Sequence, residues 1–272
     1  MAHIKCGFYS SSLQKNANVI VFLPTMSADD YLTQKHIKYY RKNARYQTLI
    51  LLHGSYGGCM DWSTLANVER YAQEHALAVV MPSAENSNYL NMVMGEDYLD
   101  YVGKELPEFL SKIFPIATDR ENLFIAGLSM GGYGAMRVGL ECSDTFGCIA
   151  SLSGALDLQS LYKSTEAHVK LMSANYKKAV FEDMDHINVT RNDLKVLVDA
   201  KLEEGVTLPR IYLTCGTADF IFPTNETFYD YIKDKDVDAT YVKAKGIHDW
   251  NFWDGHIQDV MEWLPLKGDL ID

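Results

Sequence analysis

The chain has 272 residues, 47% hydrophobic and 12% aromatic, with 25 Lys and Arg against 36 Asp and Glu, a formal net charge of −11. That composition belongs to a globular protein able to bury a core without disulfides or metals. A net negative chain offers no cationic surface to phosphate backbones, which excludes nucleic acid as the expected partner.

The first residues, Met1 to Cys6, contain no basic segment followed by an apolar run, and a cytoplasmic location is expected. The next apolar runs, Val19–Leu23 and Leu49–Leu52, are too short to cross a bilayer, so no membrane association is expected. Cys6, Cys59, Cys142, Cys148 and Cys215 are odd in number and lack C-x-x-C spacing. They read as reduced thiols rather than a disulfide framework or metal site.

In chain order, His3–Leu23 reads as a hairpin turning at Ser10-Ser11-Ser12 and supplying antiparallel edge strands. Lys35–Arg45 is a basic stretch expected to form a solvated face. Short apolar runs follow at Thr48–His53, Leu77–Met81, Asn122–Ala126, Cys148–Leu152, Arg210–Cys215 and Ala239–Val242. Most lack polar alternation, as expected of parallel strands covered on both faces. Trp62–His75, Asp97–Phe114, Met130–Cys142, Thr224–Lys233 and Trp253–Leu264 read as helices. In the second, Tyr98, Tyr101, Val102, Leu106, Phe109, Leu110 and Ile113 form one apolar stripe, and Pro107 is expected to kink it. A mainly helical insertion at about 156–208 is expected to cap one end of the sheet. The alternation predicts one α/β domain over 1–272, with a mostly parallel sheet and helices on both faces.

The strongest chemical signal is Gly127-Leu-Ser129-Met-Gly131, where a predicted strand runs through G-x-S-x-G into a helix. In that context the pattern marks a nucleophile elbow. Serine needs a base, and the base needs an orienting acid, in the chain order Ser, acid, His. Asp219 follows the strand ending at Gly216, and His248 follows the next strand. Both would emerge at the same sheet edge as Ser129. Asp254 and His256 compete on residue type but lie in a predicted helix. The N–H groups of Met130 and Ser55, the latter in His53-Gly54-Ser55, are the expected oxyanion donors. His53 precedes the nucleophile and reads as a structural histidine. Trp62, Tyr89, Tyr133, Trp250, Phe252 and Trp253 lie on or beside the predicted loops. Trp62, Tyr89, Tyr133, Trp250 and Trp253 are the candidates to line a substrate pocket, with about half of such aromatics expected in the core.

Together, Leu51-Leu-His-Gly54, Asp61-Trp62, Glu105-Leu-Pro107, Asp119–Ala135, Ser153-Gly154, Cys215–Asp219 and Gly246–Trp250 resemble the esterase D group of α/β hydrolases. The resemblance is nearest to its bacterial tributyrin-esterase-like (EstA-type) branch. It implies the α/β-hydrolase fold, Ser129, Asp219 and His248 as a triad, and no cofactor. It also implies a small ester as substrate and self-association as a homo-oligomer. Short-chain acyl or aryl ester hydrolysis is the expected activity, with feruloyl or acetylxylan esterase as an alternative. S-formylglutathione hydrolases share the nucleophile segment. They differ by a cysteine close to the oxyanion donor where this chain has Gly57-Gly58, and by a G-A-G-F-Y stretch at Pro82–Tyr89. A non-catalytic binding protein would ordinarily lack a triad member or the oxyanion glycines, and all are present here.

Overall fold

The computed structural model describes residues 1–33, 39–163, 173–181 and 183–271. The N-terminal hairpin forms from β1 (Ala2–Ser10) and β2 (Lys15–Leu23), paired antiparallel from Ala2↔Leu23 to Ser10↔Lys15. A distant carboxylate closes its turn: Glu105 accepts hydrogen bonds from Ser10 Oγ at 2.6 Å, Ser11 N at 2.6 Å and Ser12 N at 3.1 Å. β2 pairs antiparallel with β4 (Ala78–Pro82). The other strands, β3 (Thr48–Leu52), β5 (Leu123–Leu128), β6 (Cys148–Leu152), β7 (Arg210–Gly216) and β8 (Ala239–Ala244), join as parallel neighbours. The sheet order is β1-β2-β4-β3-β5-β6-β7-β8. Every residue of β3, β4, β5 and β6 is buried, which explains their lack of polar alternation.

Beyond α1 (Ala28–Thr33), two helical layers cover the sheet. On one face, α5 (Leu106–Ile113), α6 (Met130–Glu141), α9 (Leu194–Glu203) and α10 (Phe222–Ile232) contribute Leu106, Met136, Leu197 and Phe228 to the core that also holds Ile50 and Ile125. On the other, α2 (Asp61–Leu65), α3 (Val68–Glu74) and α11 (Trp250–Trp263) contribute Trp62, Tyr71 and Ile257 to the core that also holds Leu49 and Leu51. Successive residues of β3 thus serve opposite cores, as strand geometry requires. β3 lies between β4 and β5, so the chain leaves it first in one direction and later in the other. The crevice outside the strand ends at such a switch point is where α/β sheets place ligands.

Two local expectations change. The helix expected at Trp62–His75 breaks at Ala66, whose φ of −139° and ψ of 164° are extended. Asp254, remote in sequence, accepts from the Asn67 N–H at 2.7 Å and its side-chain amide at 3.0 Å, giving α3 a capping partner outside the local pattern. The helix expected at Asp97–Phe114 begins as α4 (Tyr98–Asp100), widens into a π-helical turn at Tyr101–Glu105, and resumes as α5. Pro107 follows directly on the wide turn, at the start of α5.

The basic side chains of the Lys35–Arg45 stretch reach solvent where they are described. Lys35 to Lys38 lie outside the described residues, and Lys42 is exposed. Arg45 is exposed as well, as expected of a solvated face, and Arg41 and Arg45 also hold the C-terminal segment. The Arg41 guanidinium donates to the Leu270 carbonyl, and Arg45 pairs with Ile271 through both backbone groups, at 2.7 and 2.9 Å.

Between β6 and β7 the described residues form α7 (Leu158–Lys163), α8 (Ala174–Phe181), a 3-10 turn (Met184–Val189) and α9. Residues 164–172 and 182 of that insertion lie outside the description. Among the described residues no helix is long and apolar enough to cross a membrane.

Candidate active site

β5 ends in a backbone conformation that serine rarely adopts: Ser129 has φ 54° and ψ −117°. Tertiary structure enforces it. The Ser129 N–H donates to Leu152 O at 3.0 Å, while its carbonyl accepts from Tyr133 N and Ala155 N, each at 3.1 Å. The flanking glycines are required for space. A Cβ on Gly127 would lie 2.3 Å from Gly131 O, and one on Gly131 would lie 2.5 Å from His53 O. Met130 opens α6, so its N–H has no acceptor within the helix.

Asp219 and His248 leave the ends of β7 and β8 and meet Ser129. His248 Nε2 is 3.0 Å from Ser129 Oγ, and Nδ1 is 2.9 and 3.1 Å from the two Asp219 oxygens. The Asp219 side chain is fully enclosed, and its Oδ1 also accepts from the Ile221 N–H at 3.1 Å. A carboxylate beside Nδ1 holds the proton there and leaves Nε2 to accept the serine hydroxyl proton. The imidazole lies between two rings: Trp253 meets it edge-on at 4.9 Å and Phe220 lies 4.7 Å away. Asp249 caps α11 just beyond, accepting from Phe252 N at 3.0 Å.

The competing residues are elsewhere. Asp254 is engaged with Asn67 and with the Tyr71 hydroxyl, and His256 pairs with Asp259 at 2.6 Å. His53 is buried, with Nδ1 2.7 Å from Gly54 O and Nε2 accepting from Ala84 N at 2.9 Å. The bond accepted at Nε2 requires the neutral ring with its proton on Nδ1, and burial pushes its pKa down. His53 therefore splints the loop carrying Ser55. Gly54 brings that loop against the nucleophile: a Cβ there would lie 2.6 Å from Leu128 Cδ1 and 3.6 Å from Ser129 Cβ.

A cavity of about 310 Å³ opens over Ser129 and His248, bordered by Ser55 and Met130. Of the aromatic candidates, Trp250 and Trp253 line it. Trp62, Tyr89 and Tyr133 do not; all three are fully buried behind the wall. The Trp62 indole donates to Leu52 O at 2.9 Å, the Tyr89 hydroxyl to His53 O at 2.9 Å, and the Tyr133 hydroxyl to Asn192 O at 2.7 Å. Each ring is drawn inward because its polar tip meets a carbonyl outside the cavity. Phe252 is also core, packed beside Gly246 and His256. The lining includes Asp61, Asn88, Leu161, Tyr162 and Phe220, to which no role was assigned from sequence. Asn88 and Phe220 follow strand ends, a position that could have flagged them; Leu161 and Tyr162 sit in the insertion, where nothing local could. No group of three or more His, Cys, Asp or Glu among the described residues could hold a metal ion.

The Esterase family model matches residues 10–264. The chain belongs to that family. This esterase is 36% identical to an acetyl esterase of Caldicellulosiruptor saccharolyticus, covering 99% of this chain and 100% of the relative. Among solved structures it resembles the fluorophosphonate-binding serine hydrolase FphF of Staphylococcus aureus. The two are 30% identical, with a TM-score of 0.85 and coverage of 97% of this chain and 98% of that one. It also resembles the S-formylglutathione hydrolase FrmB of Staphylococcus aureus, at 30% identity, a TM-score of 0.81 and the same coverage. The esterase has the α/β-hydrolase fold and is a carboxylic ester hydrolase of the serine type.

Proposed function

We propose that this esterase hydrolyses short acyl esters through an acyl-enzyme on Ser129, with His248 as general base and Asp219 as the orienting acid. His248 Nε2 takes the hydroxyl proton as Ser129 Oγ attacks the ester carbonyl. The N–H groups of Met130 and Ser55 receive the oxyanion. His248 then protonates the leaving alcohol, and a water activated by the same nitrogen releases the acid. Asp219 keeps the proton on Nδ1 and stabilises the imidazolium. The observation that carries this reading is the continuous 3.0 and 2.9 Å contact from Ser129 through His248 to a fully enclosed carboxylate.

The substrate range follows from size. A cavity of about 310 Å³ is at the lower end for small-molecule pockets, which favours acetyl to butyryl groups and suits the tributyrin-esterase-like branch. The 36% relative named acetyl esterase points the same way. The insertion at 156–208 acts as a cap in this reading, because Leu161 and Tyr162 of α7 form part of the cavity wall. The five cysteines are free, which fits a reducing, cytoplasmic setting.

S-formylglutathione hydrolysis is the second reading, favoured by the 30% identity to FrmB. The test begins with Ser129→Ala, which should abolish turnover of 4-nitrophenyl acetate and block mass gain from a fluorophosphonate probe. Retention of more than about a thousandth of wild-type kcat would overturn the assignment. Comparing kcat/KM on acetate to octanoate esters, methyl ferulate and S-formylglutathione then separates the substrate readings.

A further inference from the structure

The cavity over Ser129 is asymmetric in charge. Asp61, the first residue of α2, lines it, and among the described lining residues there is no lysine or arginine. The Asp61 carboxylate lies against the bare Cα of Gly57: a Cβ there would be 2.0 Å from Asp61 Oδ2. Gly57 therefore leaves the space that the carboxylate occupies beside the oxyanion loop. A second negative charge, Asp219, stands behind the imidazole. Lys177 touches the wall residue Tyr162 from outside the lining. Its Nζ donates to the Tyr162 carbonyl at 3.1 Å and lies 5.0 Å from the ring centroid, and Lys177 is not a lining residue. The rest of the wall carries exposed or half-buried π faces, including Tyr56, Phe220 and Trp250.

We propose that Asp61 makes the site a charge filter, ranking esters of equal shape as cationic above neutral above anionic. This rests on the esterase reading above and names its preferred substrate class: short acyl esters whose alcohol carries a positive charge. Aromatic faces and a carboxylate are the partners that a quaternary or primary ammonium group uses. The dianionic and singly cationic glutathione moiety, net negative at neutral pH, meets the opposite field. The filter thus disfavours S-formylglutathione relative to an uncharged thioester of similar reactivity.

The size of the effect follows from distance. A sphere of the cavity's volume is roughly 8 Å across, and one charge pair at that separation in partly hydrated surroundings changes a rate constant by about tenfold. Acetylcholine and its uncharged isostere, with carbon in place of the quaternary nitrogen, form a matched pair. Each kcat/KM is normalised to the ester's own hydroxide-catalysed rate, so leaving-group differences cancel. At about 10 mM salt the cationic ester should win by about tenfold, and the ratio should shrink as salt rises to about 500 mM. Asp61→Asn should remove most of the cationic advantage, and Asp61→Ser serves the same purpose if the first variant does not fold. A wild-type ratio near one at low salt overturns the filter; a large ratio that survives loss of the carboxylate overturns its assignment to Asp61. If the neutral ester is turned over and Ser129→Ala is inert, either failure leaves the esterase reading standing. Turnover by Ser129→Ala would instead remove that reading.

Discussion

Glu105 offers a direct test of how the N-terminal hairpin is held to the rest of the molecule. Burial raises its pKa, but hydrogen bonds from Ser10, Ser11 and Ser12 outweigh that and hold the carboxyl at about 2, against an ordinary 4.5. A depressed carboxylate pKa stabilises the fold above the unfolded-state value, and the contribution disappears as pH falls toward the folded-state value. The undamped difference corresponds to roughly 3 kcal/mol. Solvent reaches the partly exposed group and screens it, leaving about 1–2 kcal/mol at neutral pH. Glu105→Gln removes the charge while keeping the shape, so the variant resembles the protonated wild type. Urea unfolding of both proteins at pH 7 and near pH 3 measures the linkage. The variant should be less stable by about 1–2 kcal/mol at pH 7 and by less than half of that near pH 3, with the same denaturant slope. Equal destabilisation at both pH values would refute the charge-assisted clamp, and no destabilisation at pH 7 would refute the contact's importance altogether.

The remaining expectations concern the site. Asp219→Asn should lower kcat by about 10³–10⁴-fold, whereas Asp254→Asn should keep kcat and lower the melting temperature by loosening α3; the reverse pattern would reassign the acid. Gly131→Ala drives a methyl to 2.5 Å from His53 O, so kcat should fall far more than KM rises, measured on 4-nitrophenyl acetate. Tyr133→Phe removes a hydroxyl bound to Asn192 O outside the cavity; kcat/KM should stay within about threefold while urea stability drops by about 1 kcal/mol. A large change in acyl preference in that variant would put Tyr133 back among the substrate contacts.

The hairpin clamp and the cap of α3 share a feature: each depends on a carboxylate that meets partners from a distant part of the chain. Glu105 reaches across 95 positions to Ser10, and Asp254 reaches across 187 to Asn67. Such pairings leave no periodic trace, because only folding brings the partners together.

What the amino-acid order determined alone was local. The β-branched runs without polar alternation define strands covered on both faces, and each of the seven lies within an observed strand or overlaps one by all but a terminal residue or two. G-x-S-x-G after a strand marks the elbow, because its backbone demands bare Cα atoms at 127 and 131. The order of Ser129, Asp219 and His248 follows from placing each at a strand end of a parallel sheet. Tertiary structure decided what those rules do not reach. It drew Trp62, Tyr89 and Tyr133 inward to carbonyls outside the cavity, broke α2 from α3, and set a π-helical turn just before Pro107. It also brought Asp61, Asn88 and Tyr162 to the cavity. Backbone geometry and periodicity act over a few residues, whereas the side of a wall on which a ring lies is settled by partners far away in the chain.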